Sequence, residues 1–174
     1  MRSVRDNGYT GWISVEHDKA DKLGGDYAES TAISRWYAQR YGLAIAPERI
    51  AITAGASAGL QLACLALFER GDEVLMPDPC YPCNRHFVAA VDATPVLIPS
   101  SPEDRFQLSL AHLQSRWSER SRGVLLASPS NPTGTSIAPE VLADIAGSVR
   151  ARGGVTVVDE IYLPLSYDAH FGGT

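Results

Sequence analysis

Between Pro47 and Tyr162 short apolar runs alternate with longer segments of helical spacing. The runs are PERIAIT (47–53), EVLMP (73–77), ATPVLIP (93–99), GVLLA (123–127) and VTVVD (155–159). Each is short, mostly aliphatic and bounded by Gly, Pro or polar residues, which is the pattern of a buried strand. Strands alternating with helices call for crossover connections, and these return each strand parallel to the one before. The expected fold is therefore α/β, a mostly parallel sheet of about five strands with helices on both faces. In such sheets ligands sit beyond the carboxyl ends of the strands. The fourth run exits into SPSNPTG (Ser128 to Gly134) and the fifth into DEIY (Asp159 to Tyr162), so Asn131, Asp159 and Tyr162 are expected on one rim.

The remaining elements follow in order. Tyr27 to Tyr41 has helical spacing in Ala28, Ala32, Ile33, Trp36 and Tyr37, and Gly42 is its expected C-cap. After the first strand, AGASAG (54–59) leads into an apolar helix. A strand, a small-residue turn and a helix make a cradle for an anion, because glycine permits close approach and first-turn amides point outward. Gly55, Ala56 and Ser57 are the candidates there, although the same residues also make an ordinary tight turn. Further helices are expected over His86–Val91, over 108–117, with His112 facing solvent or capping locally, and over 139–154, with Pro139 in the first turn. Residues 1–30 are an arm of uncertain origin, and 31–174 form one partial domain. GWISVEHD (11–18) reads as an edge strand or arm. A resemblance of this stretch to the end of sugar-isomerase barrels would make Glu16 a metal ligand, but nothing after residue 45 continues a barrel, and no metal site is assigned.

Composition excludes several classes. The formal charge of −5 argues against a nucleic-acid partner, no apolar run reaches membrane-spanning length, and the start has no apolar h-region. Three cysteines, Cys64, Cys80 and Cys83, suit a reducing cytoplasm better than a disulfide framework. Cys80 and Cys83 form a CxxC pair. A redox pair or a metal site with His86 are alternatives, yet the motif follows a second strand and lacks a second ligand pair. A nucleotide-binding domain using GASAG lacks G-x-G-x-x-G spacing.

Taken together, GASAG, DPCYPC, SNPTG and DEIY in this order resemble the class I/II aminotransferases, of the fold-type I pyridoxal phosphate (PLP) enzymes. The resemblance covers roughly residues 30–170 and implies PLP as cofactor. The phosphate would lie at Gly55, Ala56 and Ser57, with Tyr81 against one ring face. Asn131 and Tyr162 would serve the phenolic oxygen, and Asp159 the ring nitrogen. It further implies amino-group transfer between an amino acid and a 2-oxo acid, and a homo-oligomer. The alternative is a PLP- or phosphate-binding module without chemistry. The family's Schiff-base lysine, in an S-x-S-K segment, falls after this sequence. Lys19 and Lys22, the only lysines, precede the first sheet strand and match no family lysine. No catalytic residue is therefore assigned, and the 174 residues alone are expected to show no transaminase activity.

Overall fold

A computed structural model of the chain describes residues 13–16 and 26–165. Tyr9, Lys19 and Lys22, the flanks of the 11–18 strand and the side chain of Glu16 lie outside what is described. The chain divides into two compact units between Gly59 and Leu60.

In the first unit, strand β1 (Ile13–Glu16) pairs in parallel with β2 (Ile50–Thr53), Ile13 opposite Ile50. Helix α1 (Asp26–Tyr41) ends at Gly42, whose φ of +66° and N–H bond to the Ala38 carbonyl (3.1 Å) make a left-handed C-cap. Ile33, Leu43, Ile45 and Ile50 form its core, with Tyr37 and Tyr41 packed against them. Pro47–Arg49 is a 3-10 turn rather than strand.

The second unit is built on a four-stranded parallel sheet. Its strands are β3 (Glu73–Asp78), β4 (Thr94–Pro99), β5 (Ser121–Ala127) and β6 (Val155–Asp159), in the spatial order β4-β3-β5-β6. The expected count of about five is thus corrected: β2 pairs with β1 and takes no place in this sheet, because no strand of the described chain bridges them. Alternate side chains separate two cores. Leu75, Val124 and Leu126 pack with Leu113 of α4 (Leu110–Arg116) and with Ile145 and Val149 of α5 (Pro139–Ala151). Val74, Met76 and Leu125 pack on the other face with Val88 of α3 (Asn84–Ala89) and with Cys64, in the C-terminal half of α2 (Ala56–Leu67). Helices do cover both faces, as the near-continuous apolar strands require.

Two features open the sheet at one end. The chain moves from β3 outward to β4, then crosses back to lay β5 on the opposite side of β3. That reversal is a topological switch point, the position where α/β sheets leave a crevice. In addition, the β3–β5 pairing runs only from Glu73 to Leu75. Pro77 follows, and it has no N–H to donate. The hydrogen-bonded ladder between the two strands therefore stops short of their carboxyl ends.

Candidate functional site

Everything that leaves the carboxyl ends of these parallel strands shares one rim. β3 ends at Asp78, and beyond it come cis Pro79 and Tyr81, which is partly buried and whose carbonyl accepts the N–H of Asn84 (3.0 Å), so that the turn runs directly into α3. Beyond β5 comes the loop 128–135. Its backbone closes on itself, with Ser130 N–H donating to the Thr135 carbonyl (2.9 Å) and Gly134 N–H to the Ser130 carbonyl (2.8 Å). Gly134 has φ +67°, which glycine adopts without a Cβ clash. The Ser128–Pro129 and Asn131–Pro132 bonds are cis. The β5 and β6 exits are tied by Ser128 N–H donating to the Asp159 carbonyl (3.0 Å), continuing a register in which Ala127 faces Asp159. Ser128 Oγ accepts the N–H of Ile137 (2.9 Å), fixing the approach to α5.

Asp159, partly buried, ends β6. Its Oδ1 accepts the N–H of Ile161 (3.1 Å), a side-chain turn that redirects the chain so that Tyr162, 37% exposed, follows at the same end. Burial, and then the Asp159 charge beside it, push the Glu160 carboxyl up from its ordinary value. The four candidates Tyr81, Asn131, Asp159 and Tyr162 thus occupy one rim of the second unit.

Gly55, Ala56 and Ser57 belong to the first unit. Gly55 has φ +90°, a region that side chains with a Cβ rarely enter. Its N–H donates to the Thr53 carbonyl (2.8 Å), and Thr53 Oγ1 donates to the Gly55 carbonyl (3.0 Å). The first helical bond of α2 runs from Gly59 N–H to the Gly55 carbonyl (3.1 Å). The amides of Ala56, Ser57 and Ala58 consequently have no intrahelical carbonyl to reach, which is the condition for an anion cradle.

Several buried polar atoms on the rim have no partner among the described residues: Asn84 Oδ1, Gln107 Oε1 and Ser130 Oγ. Buried polar atoms are ordinarily bonded, so an orphaned cluster marks a place that a polar group completes. None of these three was picked out in the sequence. Gln107 lies in a surface loop before a helix and follows no period. Its only signal is a polar residue between Phe106 and Leu108. Ser109 and His112, by contrast, do form the local cap: Ser109 Oγ accepts the His112 N–H (3.4 Å) and His112 Nδ1 accepts the Ser109 N–H (3.2 Å).

Both thiols of the CxxC pair are free. Cys80 is buried, and burial raises its thiol pKa. Arg85 pulls in the opposite direction and Asp78 raises it again. A reactive pair needs a lowered value. No cluster of three metal-ligating side chains occurs among the described residues, and no described helix is long and apolar enough to cross a membrane.

Residues 22–172 match the family described as aminotransferase class I and II. The valine–pyruvate aminotransferase of Mycobacterium tuberculosis is 43% identical over 136 residues, 78% of this chain and 35% of the relative. A crystal structure of an aminotransferase from the same organism superposes with TM-score 0.74 at 36% identity, covering 91% of this chain and 39% of the other. Aspartate aminotransferase from Thermotoga maritima gives TM-score 0.79 at 26% identity, covering 97% and 44%. The chain spans about a third of the length of the curated relatives it matches.

Proposed function

The chain belongs to the class I and II aminotransferase family, and on that premise we propose that it forms the cofactor-binding part of a PLP-dependent aminotransferase. The reaction would move an amino group between an amino acid and a 2-oxo acid. The observation that carries this reading is the single rim on which Tyr81, Asn131, Asp159 and Tyr162 meet, beside buried polar atoms that lack partners.

The residues fit the group. PLP, when bound, supplies an electron sink for negative charge left on the substrate α-carbon. Asp159 would hold a proton on the ring nitrogen through a charge-assisted hydrogen bond. Asn131 and Tyr162 would donate to the phenolic oxygen. Tyr81 would cover a ring face, since offset stacking suits a flat heteroaromatic ring. Gly55, Ala56 and Ser57 would give the phosphate its backbone amides. We further assign residues 1–30 to an arm and 31–174 to part of the large domain. A homo-oligomer in the cytoplasm is the setting we assign, supported by three cysteines that are all free thiols.

The test is PLP titration of the intact protein by absorbance and equilibrium dialysis, followed by amino-transfer assays. The amino-donor panel should include valine with pyruvate, the pair named for the Mycobacterium tuberculosis relative. Saturable PLP binding is expected of these 174 residues without transfer, and transfer only when the family's Schiff-base lysine is also present. Absence of saturable binding would sink the reading, whereas binding without transfer for any donor even with that lysine present would leave a module without chemistry.

A further inference from the structure

We propose that Gln107 is a positioning residue for this site: its carboxamide clamps the loop that presents Asn131. The proposal rests on the reading of Asn131 as a PLP contact. Gln107 is only 5% exposed. Its Nε2 donates to the Ala127 carbonyl (3.2 Å), the last residue of β5, and to the Thr135 carbonyl (3.1 Å), with Thr135 Oγ1 at 3.3 Å. Ala127 and Thr135 bracket the loop, and Asn131 lies between them. One side chain therefore pins both ends of the segment that sets the position of Asn131.

The chemistry requires an amide here. The two main acceptors are backbone carbonyls, which can only be met by a donor. A glutamate would oppose them with a third oxygen, and an apolar residue would leave them with fewer bonds in a buried place. The same acceptors fix the orientation of the amide, because a flipped carboxamide would turn Oε1 toward two carbonyls. Thr135 is held in turn, its Oγ1 lying 2.8 Å from Thr133 Oγ1.

How Gln107 reaches this place is also unusual. The two residues before it, Arg105 and Phe106, both have left-handed backbones, with φ of +54° and +56°. Consecutive non-glycine residues in that region persist only where surrounding contacts over-determine them. The turn is fixed by Phe106 N–H to the Ser101 carbonyl (2.9 Å) and Gln107 N–H to the Asp104 carbonyl (3.0 Å). It delivers a buried amide beneath the 128–135 loop while the rest of the loop 100–106 stays at the surface.

The experiment is a double-mutant cycle in the intact protein, with PLP dissociation constants by equilibrium dialysis and thermal unfolding measured without PLP. Gln107→Glu is expected to weaken PLP about tenfold, the scale of one buried hydrogen bond. Gln107→Met removes the donor without adding charge and is expected to act in the same direction, which covers the case in which Gln107→Glu does not fold. Asn131→Ala should also weaken binding, and adding either Gln107 change to Asn131→Ala should cost nothing more. A merely structural Gln107 would lower the melting temperature and leave the cycle additive, and that result overturns the clamp. Wild-type affinity in both Gln107 variants, with Asn131→Ala impaired, overturns it as well. Wild-type affinity in Asn131→Ala would instead overturn the assignment of Asn131, and the clamp with it.

Discussion

The two ends of the four-stranded sheet treat most of their polar groups differently, although Thr156, near the amino end of β6, also keeps a buried Oγ1 unmatched among the described residues. At the amino end, charges are paired within the protein. Glu73, 8% exposed at the start of β3, accepts from Arg120 Nη2 (2.5 Å) and Ser118 Oγ (2.6 Å). Asp72 accepts the Glu69 N–H (2.9 Å) and lies 3.7 Å from Arg122, while Arg70 pairs with Asp92 at 2.7 Å. At the carboxyl end, Arg85 makes an ion pair with Asp78 at 3.9 Å, and Asn84, Gln107 and Ser130 each keep a buried polar atom unmatched among the described residues. A finished rim serves folding. An unfinished one leaves its bonding capacity for something else. The contrast fits the clustering of the candidates at one end of the sheet.

The sharpest way to break this contrast is Asp159→Asn. Asparagine keeps an Oδ1 to accept the Ile161 N–H, so the turn survives while the charge is lost. PLP affinity measured by dialysis should fall about a hundredfold, the scale of a charge-assisted bond, with little change in melting temperature. Unchanged affinity would reduce Asp159 to a turn residue and erase the functional meaning of the rim. The mirror experiment is Glu73→Ala. It should lower unfolding free energy in urea by about 2 kcal/mol, since two bonds to a buried carboxylate are lost while Arg120 regains water. PLP affinity should not move. A comparable loss of binding would show that the two ends are coupled.

A third substitution probes the packing beneath both rims. A Cβ at Gly123 would stand 2.7 Å from the Val155 carbonyl and 2.8 Å from Phe68 Cε1. A backbone oxygen cannot retreat without disturbing the β5–β6 ladder, so Gly123→Ala should destabilise by about 1–3 kcal/mol in the same urea assay. A neutral result would mean that this half of the sheet is less rigid than its contacts imply.

Much of this was legible in the sequence, and for a physical reason. Strand exits are marked by residues whose backbone habits are local, such as Pro79, Pro132, Gly134 and Asp159, so the rim could be read directly. The burial of Val74 to Met76 and of Val124 to Leu126 also followed from composition alone. What escaped depends on pairing at a distance. The apolar run 47–53 looks like any inner strand, and nothing local says that its partner is β1. The early end of the β3–β5 ladder depends on which neighbour Pro77 faces. Gln107 matters only because a left-handed turn carries it to carbonyls 20 and 28 residues away.

The smallest effect compares one residue type inside the sheet with the same type at the rim. Cys64 is fully buried against Val74, Met76 and Leu125, and burial alone raises its thiol from about 9 to about 11. Cys80, beside the carboxyl rim, is raised by burial too, but the Arg85 charge offsets part of that. Between pH 9 and 11 the folded protein keeps a proton on Cys64 that the unfolded chain has released. Folding is then linked to proton uptake, and stability falls as pH rises through that window. Relative to a Cys64→Ala variant, which lacks this slope, the native protein should lose about 1 kcal/mol between pH 8 and pH 10, read from paired urea titrations. The matching Cys80→Ala comparison should give a shallower difference, because a rim thiol with a cation beside it ionises with less penalty. Equal slopes would mean that Arg85 does not reach Cys80 electrostatically, and the cation at that end would no longer distinguish the rim from the interior.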